Sequence, residues 1–134
     1  MIQKVRKFIV NVVHYADWYW VTEGLQLLAT GFVIWYNAQH DVDLHPVFKA
    51  FSEPLWVYLP FLIGSLTVYL GITKNFTKRL TVISVVSLLS YWTTLSVLLY
   101  FNDTFLGHVP TTAVIIMFVI PKILVMASRV EIKK

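Results

Sequence analysis

The chain has 134 residues, of which 57% are hydrophobic and 13% are charged. Because a soluble domain carries about 25% charged residues, this composition excludes an ordinary soluble domain and predicts one small all-α integral membrane domain, residues 1–134. The net charge of +4 lies mostly at predicted membrane edges, so we interpret it as a topology signal and a contact with anionic lipid, with no nucleic-acid partner.

Residues 1–17 have the pattern of a short amphipathic helix that lies in the membrane interface. Apolar residues recur at helical spacing, whereas Lys4 and Lys7 lie on the opposite stripe. The apolar face can lie at the headgroup boundary while the two lysines contact anionic lipid. The alternative is a continuation of the first membrane span into the cytosol.

Four apolar runs follow, and each is close to the roughly 20 residues that a helix needs to cross a bilayer core. Since backbone groups find no water in that core, each run must be helical. The sequence therefore predicts a bundle of four transmembrane helices, with spans at about 18–36, 55–72, 80–100 and 109–127.

The charges alternate between successive loops. Lys and Arg residues precede the first span, occupy the link 73–79 and follow the last span, whereas the segments 37–53 and 101–108 contain four carboxylates and only Lys49. Basic residues near span ends are retained in the cytoplasm. The pattern predicts a protein of the cell membrane with both termini on the cytoplasmic side.

Two charged residues interrupt the predicted spans. Glu23 lies in the first span, and Lys122 follows Pro121 in the fourth. A charge inside a span costs about 2.5–3.5 kcal/mol on insertion scales. Their predicted depths agree to within roughly one helical turn of 5.4 Å, which favours an ion pair within one chain or across a subunit interface. In the alternative, Lys122 extends to the headgroups and Glu23 is neutral. Pro121 is also expected to kink the fourth span.

Polar residues also form stripes on two of the spans. One stripe comprises Glu23, Gln26 and Thr30 in the first span, and the other comprises Ser84, Ser87, Tyr91 and Thr94 in the third. Such stripes either bond neighbouring helices or line a wet cavity, and helix packing is the favoured interpretation.

Glycines repeat at an interval of seven residues in the first two spans. The pairs are Gly24 with Gly31, and Gly64 with Gly71. Small residues at this spacing allow close contacts between helices.

The predicted external loops contain four weak candidates for metal ligands, which are His40, Asp43, His45 and His108. Their spacing matches no established metal motif, so we interpret them as solvated loop residues and predict neither a metal nor a cofactor. Zero cysteines exclude disulfides and thiol chemistry. The sequence has no Ser-His-Asp pattern, phosphate loop or HExxH motif, and we therefore predict that the protein is not an enzyme.

Two functional classes remain open. Glu23 is similar in position to the membrane glutamate of small multidrug transporters, which also have four short spans, although the motifs of their later spans are absent here. The compact, basic-tailed layout is similar to that of phage holins. The favoured class is an accessory or interaction subunit, as a homo-oligomer or with another membrane protein. The alternative is an oligomeric pore, a holin-like permeabilising protein or a small transporter.

Overall fold

The computed structural model describes residues 3–5, 7, 16–40, 54–107, 109 and 111–130. This part of the chain is 87% helical and contains no strand, which confirms the all-α prediction. Its helices in chain order are α1 (Trp18–Gln39), α2 (Pro54–Thr73), α3 (Lys78–Phe105), α4 (Thr111–Met117) and α5 (Val119–Ser128).

Three helical segments are long and apolar enough to cross a membrane, where the sequence predicts four spans. They are α2, α3 and the stretch Thr111–Ser128, which joins α4 to α5. Helix α1 is long enough to cross a membrane, with 22 residues, but it is not apolar enough to be one of these three segments. Its hydropathy is lowered by Glu23 and Gln26 and by the Trp and Tyr residues near both ends.

Two predicted features lie largely outside the described residues. Within the predicted interfacial helix 1–17, the structure describes residues 3–5, 7, 16 and 17. Of these, residues 3–5 and 7 are helical. Most of the predicted external segment 37–53 also lies outside, including Asp43 and His45.

Helices α1 and α2 run antiparallel and pack along the glycines that repeat at seven residues. A Cβ atom on Gly24 would lie 2.7 Å from the Gly64 carbonyl oxygen, and one on Gly71 would lie 2.8 Å from the Val21 nitrogen. Real Cβ atoms do not approach backbone atoms this closely, so only glycine fits at these points. The glycine spacing thus correctly predicts close helix contact in this part of the bundle.

The bundle consists of two halves. The first half is α1 packed along α2, and the second half is α3 packed against α4 and α5. Close backbone approaches between the halves are fewer, and they occur between α2 and α3 and between α1 and α5. Side chains of both halves, among them Leu27, Leu88 and Ile123, nevertheless form one buried cluster. The halves are joined covalently by the short link between Thr73 and Lys78.

Four helix termini meet at one end of the bundle, which we call the basic end. The Asp17 N–H donates to the Gly71 carbonyl over 2.8 Å, so α1 begins beside the end of α2. The Arg129 guanidinium carbon lies 5.2 Å from the centroid of the Tyr19 ring, which brings the end of α5 to the same place. Helix α3 also begins there, and the basic residues of this end are Lys74, Lys78, Arg79 and Arg129.

The last predicted span is interrupted at Phe118, between α4 and α5. Pro121 has no N–H to donate to the Met117 carbonyl, which is its usual partner four residues earlier. Just before the proline, the Phe118 N–H donates to the Ile115 carbonyl over 3.2 Å, three residues earlier, as in a tighter helical turn. This break agrees with the predicted effect of Pro121 and places Lys122 in the first turn after the proline.

Candidate functional site

The structure brings Glu23 and Lys122 together. The Lys122 Nζ lies 2.7 Å from the Glu23 Oε2, and both residues belong to the same chain. The Glu23 side chain is completely buried, whereas the Lys122 side chain is 38% exposed. The pair joins α1 in the first half to α5 in the second.

The position of the pair follows from the two helices that carry it. Glu23 lies five residues after the start of α1, and Lys122 lies six residues before the end of α5. At a rise of 1.5 Å per residue, the pair lies roughly 8–9 Å from the basic end. The pair is therefore set back from the basic end, with Glu23 buried in the bundle and Lys122 partly exposed.

The Glu23 carboxylate depends on Lys122. Apart from this ion pair, neither of its oxygens has a hydrogen-bond partner among the described residues. A buried carboxylate without a counter-ion is strongly unfavourable, so the ammonium group is the main compensation that the described chain provides.

The other two residues of the first polar stripe lie elsewhere. Gln26 and Thr30 line a cleft of about 540 Å³, which has α1 on one side and α3 and α4 on the other. The Thr30 hydroxyl donates to the Gln26 carbonyl of its own helix over 2.9 Å. The stripe is thus divided between a buried ion pair and the wall of a cleft.

The second polar stripe is divided in the same way. The Ser84 hydroxyl is buried and lies 2.9 Å from the Thr67 hydroxyl of α2, a hydrogen bond between the two halves. Ser87, Tyr91 and Thr94 line a separate groove of about 260 Å³ between α2 and α3. Tyr91 is buried, and its hydroxyl has no hydrogen-bond partner in the described part of the chain.

The two stripes consequently do not face a common channel within one chain. Gln26 and Thr30 face the cleft beside α4, whereas Ser87 and Thr94 face the groove beside α2. Their hydroxyls also have local uses, since Thr94 donates to the Ser90 carbonyl over 2.8 Å. Such bonds satisfy a hydroxyl inside its own helix without water.

Of the four weak metal candidates, the structure describes only His40. The His40 ring stacks on Tyr36, and its Nδ1 lies 2.9 Å from the Tyr36 carbonyl oxygen. Asp43, His45 and His108 lie outside the described residues. Within the described ranges, no three His, Cys, Asp or Glu residues are placed to hold a metal ion.

Sequence reasoning missed two contacts that join the halves. One is the partner of Ser84, and the other is the contact of Arg129 with Tyr19. A signal for the first was present, because Thr67 and Ser84 lie at equal distances from the link between α2 and α3. Residues so placed lie at the same height in a helical hairpin, so two polar side chains there can bond when both lie on the contact face.

The ion pair, the cleft beside α4 and the groove beside α2 are the features of the described residues from which a function can be argued. Comparison of the chain with protein-family models, with curated proteins and with solved structures gives no match in any of the three.

Proposed function

We propose that the chain is a four-span protein of the cell membrane with both termini in the cytoplasm. Helix α1 supplies the span that composition alone does not mark, since its 22 residues suffice to cross the bilayer core. The gathering of Lys74, Lys78, Arg79 and Arg129 at one end supports this orientation, because basic residues are retained on the cytoplasmic side.

Within the membrane, the protein acts as an accessory or interaction subunit, bound to another membrane protein or to further copies of itself. The observation that carries this proposal is the ion pair of Glu23 with Lys122 inside one chain. A carboxylate that is fully buried and paired holds helices together, whereas a transport carboxylate must exchange its partner for a proton or substrate. The pair thus has the properties of a structural clamp between the halves.

The use of the polar stripes supports the same function. Ser84 bonds Thr67 across the halves, and Thr30 and Thr94 bond carbonyls within their own helices. These three hydroxyls are therefore satisfied by the protein itself and do not need water. A bundle built in this way presents mainly apolar helix faces, which suit contacts with lipid and with other spans.

A small transporter or an oligomeric, holin-like pore is the second candidate. It is favoured by one observation, namely the cleft between α1 and α3 that Gln26 and Thr30 line. Several copies would have to bring such clefts together to form a substantial channel.

The first expected result concerns the membrane potential of bacteria that express the protein. We expect the native chain and Glu23→Gln to leave the potential intact at equal membrane abundance, because the proposed subunit forms no conducting path. Thr22→Val is the matched control, since Thr22 is an exposed neighbour whose hydroxyl bonds only carbonyls of its own helix. Prompt depolarisation by the native chain that Glu23→Gln abolishes would favour the transporter or pore instead.

The same cells provide the positive test of the interaction role. Solubilised in a mild detergent, an accessory subunit should be recovered in a complex whose protein mass clearly exceeds the 15.5 kDa of one chain. Light scattering combined with absorbance measures this mass without the detergent. A protein mass of one chain at every detergent concentration would contradict the proposal.

A further inference from the structure

The cleft between α1 and the second half has the size and walls of a ligand site. Its volume of about 540 Å³ falls within the roughly 300–1,000 Å³ that small-molecule pockets occupy. Apolar side chains form most of the lining, among them Trp92 and Leu95 of α3 and Ile116 of α4, and none of the described lining residues is charged. A ligand that fits these walls is apolar over most of its length and uncharged.

The polar groups of the cleft lie on α1. Gln26 and Thr30 occupy adjacent turns, and Asn37 lies near the end of the helix. Thr30 already donates to the Gln26 carbonyl. Among the described residues, the side-chain amides of Gln26 and Asn37 have no hydrogen-bond partner, so both are free to bind a group in the cleft.

Depth distinguishes the two amides. Asn37 lies two residues before the end of α1, where water can hydrate it in the proposed orientation. Gln26 lies eight residues after the start and thirteen before the end, roughly 12 Å and 20 Å along the helix. At that depth water is scarce, and an amide without a partner is unfavourable. A ligand that supplies a carbonyl or hydroxyl group to Gln26 would remove this cost.

We propose that this cleft binds an uncharged lipid whose carbonyl or hydroxyl group contacts the Gln26 amide. The apolar part of the lipid lies along the aliphatic wall of α3 and α4, and it enters sideways from the bilayer. The inference rests on the proposed membrane placement of α1, but it holds whether the protein is an accessory subunit or a transporter. Diacylglycerols and alkyl quinones both have the required chemistry.

Photolabelling in liposomes tests the site. The purified protein is reconstituted with a diazirine-bearing diacylglycerol or, in a second arm, a diazirine-bearing alkyl benzoquinone, and the labelled residues are mapped by mass spectrometry. We expect label on cleft residues such as Leu95 and Leu99, and we expect an excess of the same unmodified lipid to remove this label. The arm with the stronger competition identifies the type of lipid. A diazirine-bearing phosphatidylglycerol is the anionic control. Unmodified phosphatidylglycerol should not reduce the label that this probe leaves on the cleft residues.

Phe32 reports separately on the membrane placement. It is exposed on α1 and does not line the cleft, so bulk lipid should label it without competition. Absence of label at Phe32 would overturn the placement of α1 in the bilayer, and the site with it. Label at Phe32 together with cleft label that no competitor reduces would overturn the site alone.

Two variants test the assigned contacts. Ala29→Trp places a large side chain on the cleft wall and should abolish the competed label, whereas Leu62→Trp on the exposed face of α2 should leave it unchanged. Gln26→Leu removes the amide with little change in volume and should weaken the competition roughly fivefold, the effect of one hydrogen bond. Unchanged competition in Gln26→Leu would overturn the assigned contact. The Gln26→Leu result tests the contact even if Ala29→Trp does not fold.

Discussion

Lys122→Met is expected to lower the free energy of unfolding by about 3–5 kcal/mol, the usual cost of removing one partner of a buried ion pair. The variant leaves the Glu23 carboxylate fully buried and without its counter-ion. Glu23→Gln should cost less, because the Lys122 side chain is 38% exposed and can extend its ammonium to the headgroups at the basic end. Unfolding of the purified protein in detergent micelles, followed by circular dichroism against denaturant, measures both changes.

The double variant Glu23→Gln with Lys122→Met completes this comparison. It should recover part of the loss, with a coupling energy of about 0.5–3 kcal/mol between the two positions. Lys78→Met is the matched control, since Lys78 is exposed at the basic end and should change stability little. Additive losses in the double variant would show that the two side chains do not stabilise each other.

Gly24→Val is expected to destabilise the first half of the bundle by about 3 kcal/mol, at the upper end of the cost of overpacking. A Cβ at this position would lie 2.7 Å from the Gly64 carbonyl oxygen and 2.8 Å from the Val68 nitrogen. Both are backbone atoms, so α1 and α2 must move apart. The same unfolding measurement in micelles detects the change.

The control for this variant is Leu25→Val at the next position. Leu25 is exposed, so the substitution introduces the same β-branched side chain without affecting the contact of α1 with α2. It should therefore change stability by only a few tenths of a kcal/mol. Equal losses in Gly24→Val and Leu25→Val would mean that helix propensity, and not the close approach of the helices, explains the effect.

Helix positions could be predicted well from the sequence because membrane spans are long and apolar. The predicted spans 55–72 and 80–100 correspond to α2 and α3, with differences of up to five residues at their ends. The first span shows where this signal weakens. Trp and Tyr at the ends of α1 are typical of membrane interfaces but have low hydropathy values. The placement of the aromatic residues therefore indicates a membrane span, whereas the mean hydropathy of α1 does not.

Some tertiary contacts could also be predicted, where a single physical requirement dominates. The seven-residue glycine spacing indicates close helix contact, and α1 and α2 approach at those glycines. The predicted neighbours Glu23 and Lys122 lie in contact because an isolated charge in a span is costly and their depths match. The sequence left open whether this contact forms within one chain or between chains, and the structure shows that the two side chains can reach each other within one chain.

The division into two halves could not be predicted. It depends on how side chains fill the space between α2 and α3 and between α1 and α5, and single-sequence periodicity does not contain this information. The cleft beside Gln26 follows from that division, and so does the separation of the two polar stripes. Similarly, Pro121 predicts a kink, but the location of the break at Phe118 depends on local packing.

Chemical coupling of the native protein tests most directly whether Glu23 and Lys122 pair within one chain. A membrane-permeant carbodiimide adds to a carboxyl group to give an O-acylisourea. A contacting lysine amine, after loss of a proton, attacks the activated carbonyl, and an amide forms as the urea leaves. With the Lys122 Nζ 2.7 Å from the Glu23 Oε2, we expect mass spectrometry to find this amide in the monomer band, and Lys122→Met to abolish it. An amide found only between different chains, or an activated Glu23 that does not couple to Lys122, would contradict the account.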